Sequence, residues 1–180
     1  PIYTSLQQCG AHALNAFPGV WRDDHRVIDE EYKEGVYVGY RWMDKVKSDP
    51  LFAFGHGLSY TSFELGKLVA DKKEMKADGQ ITFTIPVTNT GSVAGAETIQ
   101  LYIHDVKASV DRPYKELKAF QKVFLQPGET QQVSLTVDKR ALSFYDEAAH
   151  DWKAEPGAFE ALVGTASDRL PNRLAFKLTE

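Results

Sequence analysis

The run "DGQITFTIPVTNTG", Asp78 to Gly91, restricts the fold of this chain more than any other stretch. Ile81, Phe83, Ile85 and Val87 alternate with Thr82, Thr84, Pro86 and Thr88. A period of two sends one set of side chains into a core and the other toward water, the pattern of a strand with one buried face. Asn89 to Gly91 then supplies turn residues. Pro86 stands in the outward set, and because it lacks an N–H it is tolerated only on an edge strand or at a bulge. An edge position is expected.

Similar runs follow at short intervals. "ETIQLYIHD" puts Ile99, Leu101 and Ile103 on one face, "KAFQKVFLQ" comes next, and "TQQVSLTVD" puts Val133, Leu135 and Val137 on one face. Turns rich in Pro and Gly, "QPGET" and "EPGAF", separate them, and "FEALVG" and "RLAFKL" close the series. About seven strands with no long helical pattern predict an all-β chain, an antiparallel two-sheet sandwich of immunoglobulin or fibronectin type. Cys9 is the only cysteine, so no disulfide joins the sheets and the core rests on apolar packing.

Residues 1–60 have a different texture. "SLQQCGAHALNAF" has room for a short helix, "GVYVGYRW" reads as the one strand, and the rest is polar and rich in aromatics. This region is too short and too poor in periodic apolar residues to be a domain of its own. It is expected to be a mostly irregular arm, the remnant of a preceding domain plus a linker, with the sandwich over 61–180. The first residue, Pro1 rather than methionine, agrees with a chain that starts partway through a longer protein.

The totals exclude several functions. Net charge is −4 and the cations are scattered, which gives no footprint for nucleic acid. No apolar stretch approaches the roughly 18 residues of a membrane span. His12, His25, His56, His104 and His150 have no second ligand at metal-site spacing, so neither a metal nor another cofactor is expected.

Three stretches invite a chemical reading. Asp23, Asp24, Asp29, Glu30, Glu31 and Glu34 crowd together, and a glycosidase needs two carboxylates about 5 to 9.5 Å apart. With Arg22, Arg26 and Lys33 among them, a solvated segment is the better reading. "FGHGLSYTS" resembles neither a nucleophile elbow, since Thr61 replaces the closing glycine, nor a dinucleotide loop. Gly55 and Gly57 are read as structural, allowing positive φ or close backbone approach, and Gly55, His56 and Gly57 as a hinge delivering the chain into its first strand near Thr61 to Leu65. Trp21, Tyr32, Tyr37, Tyr40 and Trp42 offer ring faces to a sugar, or pack the arm against a neighbour.

"EYKEGVYVGYRWMD" followed by "PLFAFGHGLSYTSFE" resembles the segment of glycoside hydrolase family 3 enzymes that joins the α/β sandwich domain to a C-terminal fibronectin type III-like domain. "VTNTGSVAGAETIQLYIHD", "RPYKELKAFQKVFLQPGET" and "WKAEPGAFEALVGTASD" are similar to successive pieces of that domain, and the likeness runs from about Phe17 to Ser167. It implies a parent that hydrolyses terminal β-glycosides with retention, using an aspartate and a glutamate that both lie upstream of the matched part. No catalytic residue is therefore expected in this chain. The partners implied are the catalytic domains of the parent, with Tyr37, Arg41 and Trp42 as substrate-adjacent candidates; export to the periplasm or the exterior is the family's habit. Asp151 and Trp152 look like the family's nucleophile motif but have His150 in place of its serine, and Trp152 is expected in the core or between the sheets. A stand-alone module gripping an oligo- or polysaccharide or a protein partner is the alternative, and self-association through exposed apolar surface a third.

Overall fold

The computed structural model describes residues 35–180. They fall into two compact units, one reaching to Phe54 and taking in Arg112–Tyr114, the other made of Gly55–Asp111 and Lys115–Glu180. The acidic cluster from Asp23 to Glu34, and Cys9, His12, Trp21, His25 and Tyr32, lie outside the described residues.

The larger unit is a sandwich of two main sheets. In the first, β4 (Gln80–Asn89) pairs along its whole length with β7 (Thr130–Asp138). Its other edge pairs antiparallel with β1 (Phe63–Leu65) and then β2 (Val69–Ala70). The second sheet runs β3 (Glu74–Lys76), β11 (Asn172–Thr179), β10 (Gly157–Gly164), β5 (Gly95–Asp105), β6 (Glu116–Leu125). All its pairs are antiparallel except β3 with β11, which is parallel. A separate hairpin is formed by β8 (Phe144–Asp146) and β9 (Asp151–Lys153), after a one-turn helix at Lys139–Leu142. The six runs quoted as strands from Asp78 onward are strands here, and the first strand expected near Thr61 to Leu65 is β1.

The alternation in β4 works as expected: Ile81, Phe83, Ile85 and Val87 are fully buried and join Val133, Leu135 and Val137 of β7 in one core cluster. Outward hydroxyls pair across the two strands, Thr82 with Thr136 at 2.9 Å, Thr84 with Ser134 at 3.1 Å and Thr88 with Thr130 at 2.8 Å. Such cross-strand pairs hold register on a face with no apolar packing.

Pro86 is not on an edge strand, because β4 has partners on both sides. Its carbonyl accepts from the Gly66 N–H at 2.9 Å, and in an antiparallel strand the N–H and C=O of one residue point the same way. The missing N–H therefore faces the break where β1 has ended at Leu65 and β2 has not begun at Val69. A Cβ on Gly66 would stand 2.5 Å from Pro86 Cγ, so the proline ring fills this break and leaves room only for glycine.

β5 departs from a one-faced reading as well. Ile99, Leu101 and Ile103 enter the core, but Gln100 and Tyr102 on the opposite face are also buried. They are tolerated because they satisfy one another: Tyr102 Oη donates to Gln100 Oε1 at 2.6 Å and Gln100 Nε2 donates to the Thr165 carbonyl at 2.7 Å.

In the smaller unit "GVYVGYRW" is not a strand. Gly35 and Gly39 both adopt positive φ, 55° and 64°, which breaks the extended run that Val36 and Val38 suggest. A helix starts directly after Gly39, at Tyr40–Val46, with the N–H groups of Trp42 and Met43 donating to the Gly39 carbonyl.

Candidate functional site

The three residues singled out in the arm share this helix or its approach. Tyr37 is buried, with the Lys45 ammonium 3.5 Å from its ring centre, so one ring face is already occupied by a cation. Arg41 and Trp42 are half-buried, and Arg41 donates to the Val36 carbonyl at 3.3 Å. Tyr40 lies 5.5 Å from Phe54. These contacts tie the arm's rings to the arm itself.

Gly55 has φ 84°, and a Cβ there would run into the amide of Gln100. Both reasons for a glycine apply at once. Gly57 shows neither property: its φ is not positive and a Cβ would meet only open space. His56 is half-buried. Beyond the loop, the hydroxyl cluster latches the entering chain. Thr61 Oγ1 donates to Asn89 Oδ1 at 2.6 Å, Thr61 N–H donates to Ser59 Oγ at 3.3 Å, and Thr90 N–H donates to the Ser62 carbonyl at 2.8 Å. Gly91 and Gly95 leave the space that the Thr61 side chain fills.

Asn89 is the centre of this latch, fully buried at the end of β4. Its Oδ1 also accepts from the Gly91 N–H at 3.1 Å, while Nδ2 donates to the carbonyls of Val93 at 2.8 Å and Leu125 at 3.0 Å. An amide side chain has two donors and two acceptor lone pairs, and all four are used. The sequence reading took Asn89 for an ordinary turn residue. The signal it passed over is the glycine spacing around it, which only a close approach by another segment explains.

Trp152 is not a core residue. It sits on the β8–β9 hairpin at 45% exposure, with the Arg140 guanidinium carbon 3.1 Å from its ring centre and Tyr145 edge-on at 5.5 Å. The aromatics on either side of the turn in "FYDEAAHDWK" are the sequence signal for such a hairpin. Asp151, exposed beside it, accepts from the Trp152 backbone N–H at 2.7 Å.

Among the described residues no Asp or Glu is buried. Glycoside hydrolysis needs a carboxylic acid whose pKa is raised, usually by burial. Glu155 is shifted the other way. The Ser109 hydroxyl donates to its Oε1 at 2.6 Å, the Ser109 N–H to its Oε2 at 3.1 Å, and Lys153 Nζ lies 3.4 Å away. Led by the Ser109 hydroxyl, these hold the carboxyl below its ordinary 4.5. The stability this clamp contributes is complete above the unfolded-state value and is lost as pH falls through the lower folded one. A carbon-detected NMR titration of Glu155 should give a midpoint below 4.5, moving up toward the ordinary value in Ser109→Ala, which removes the hydroxyl but keeps the backbone N–H and Lys153. An unshifted midpoint in the wild type would refute the clamp.

Comparison with known proteins agrees with this geometry. Residues 97–167 match the fibronectin type III-like domain family. The thermostable β-glucosidase B of Acetivibrio thermocellus is 50% identical over 151 residues, which cover 84% of this chain and 19% of that protein. β-Glucosidase BoGH3A of Bacteroides ovatus is 45% identical over 174 residues, covering 96% of this chain and 22% of that protein. This chain corresponds to the C-terminal portion of glycoside hydrolase family 3 β-glucosidases. In the crystal structure of the GH3 β-glucosidase of Bifidobacterium adolescentis, the matching part superposes with a TM-score of 0.82 at 35% identity, covering 92% of this chain and 23% of that one. The chain thus spans about a fifth of the length of the relatives it matches. Its fibronectin type III-like domain corresponds to the accessory part of those enzymes.

Proposed function

We propose that this chain is the accessory module of a larger enzyme that hydrolyses terminal β-glycosides with retention, and that it packs on that enzyme's catalytic domains. The observation that carries the reading is the confinement of every reported match to about the last fifth of a β-glucosidase. The surface supports it. Leu58 is 95% exposed and Tyr60 fully so, while Phe120 and Phe124 stand out from the sheet at 68% and 62%. Water contact with that much apolar side chain is unfavourable by about 25 cal/mol per Å2, a cost removed when a neighbouring domain covers it. Gly55, His56 and Gly57 act in this reading as the hinge at the mouth of the sandwich. Tyr37, Arg41 and Trp42 are in this reading the arm's substrate-adjacent residues, Tyr37 the most buried of the three. Export to the periplasm or the exterior belongs to the same proposal.

The test uses two measurements. The 180-residue chain should not turn over 4-nitrophenyl β-D-glucoside. It should co-purify with a thermostable β-glucosidase B lacking the portion this chain matches, and the Leu58→Asp/Tyr60→Ser variant should fail to do so while melting at the wild-type temperature. Turnover by the chain alone, or co-purification unaffected by that variant, would overturn the reading.

A further inference from the structure

One surface of the sandwich is built in a way that packing does not explain. The turn between β3 and β4 and the segment following β7 border a shallow, open depression of about 450 Å3, within the size range of small-molecule sites. Along it stand Asp78, Gln80, Lys139, Arg140 and Trp152. The indole is braced by the Arg140 guanidinium at 3.1 Å and by Tyr145, yet it remains 45% exposed. A ring held in one orientation in contact with water is a preformed surface, since its rotamer entropy has been given up before any ligand arrives.

The polar groups around the ring determine what it suits. Asp78 offers acceptors, Lys139 and Arg140 offer donors, and Gln80 offers both. Among the described residues, no hydrogen bond or ion pair engages the side chains of Asp78, Gln80 or Lys139. Asp78 and Asp138 balance Lys139 and Arg140, so the lining has no net charge to select an anion such as a phosphate. A neutral ligand with both donor and acceptor hydroxyls and one apolar face meets every feature. That description is a pyranoside, whose axial C–H groups lie against a ring while its equatorial hydroxyls reach outward.

We propose that the depression beside Trp152 is a glycan-binding site of this module, taking neutral oligo- or polysaccharide. It deepens the module's role by giving it a ligand contact of its own. Affinity electrophoresis of the 180-residue chain in native gels containing hydroxyethylcellulose, mixed-linkage β-glucan or xylan provides the test. Retardation in at least one gel is expected. It should be lost in Trp152→Ala and also in Asp78→Ala/Lys139→Ala, whose side chains have no hydrogen bond or ion pair among the described residues, and it should persist in Phe120→Ala, an exposed ring outside the depression. Mobility in glycan-free gels and thermal melting of the double variant should match the wild type. Absence of retardation in all three gels, retardation that survives either variant, or its loss in Phe120→Ala overturns the site. None of these outcomes bears on co-purification with the truncated relative, so the accessory role stands or falls separately.

Discussion

Asn89→Leu is expected to lower the unfolding free energy of the sandwich by about 3–5 kcal/mol, because each buried polar group left without a partner costs roughly 1–3 kcal/mol. The substitution strands the carbonyls of Val93 and Leu125, the N–H of Gly91 and the hydroxyl of Thr61 together. Leucine keeps the branched outline and heavy-atom count of asparagine but is the bulkier residue, so some overpacking adds to the lost hydrogen bonding. Urea denaturation followed by tryptophan fluorescence should show the midpoint falling with little change in slope. Asn89→Asp is the sharper control. It retains the acceptors, removes both donors and places a charge in a fully buried site, so it should be at least as destabilised at neutral pH and should recover partly as the carboxyl protonates. Wild-type stability in both variants would mean that the latch contributes nothing.

Phe83→Ala should be comparably severe, about 3–5 kcal/mol for a large buried ring replaced by a methyl group. Phe83 lies on β4 with no exposed surface, and its ring sits 5.3 Å from that of Phe176 on β11 at an interplanar angle of 66°. Phe176 in turn stacks on Phe159 of β10 at 5.7 Å. The triplet runs from one sheet to the other and bridges them by apolar contact in a chain with one cysteine. Phe83→Leu refills most of the volume and should cost markedly less. Equal losses for alanine and leucine would point to the aromatic geometry as the source of stability, and no loss for either would remove the triplet from the account.

The long strands were legible because they repeat. β4, β5, β6, β7, β10 and β11 each run for eight residues or more, enough for a period of two to appear. β2, β3, β8 and β9 have two or three residues, too few for any period; β2 and β3 take their hydrogen bonds from the longer β4 and β11, while β8 and β9 pair with each other across a tight turn. Pro86 misled for a related reason. The rule that proline avoids central strands is sound, but a partner that breaks for a few residues satisfies it as well as an open edge does. Gln100 and Tyr102 looked outward because they are polar; their mutual hydrogen bond is a tertiary fact that no local pattern carries. At the candidate site the error had the opposite sign. Indoles are usually buried, and nothing within "HDWK" announces that Arg140, twelve positions earlier, will stand over that ring while it stays at the surface.

The parallel pairing of β11 with β3 also bears on the order in which such a protein is made. β11 occupies an interior place in its sheet, between β3 and β10, and supplies Phe176 and Leu178 to the core. Until Asn172–Thr179 has left the ribosome, two strands lack their shared neighbour and the aromatic triplet lacks its middle ring. Domains fold as units in the order of their synthesis. Closure of this sandwich is therefore a late event in synthesis, set by the last strand to emerge rather than by the long β4–β7 pair that forms first.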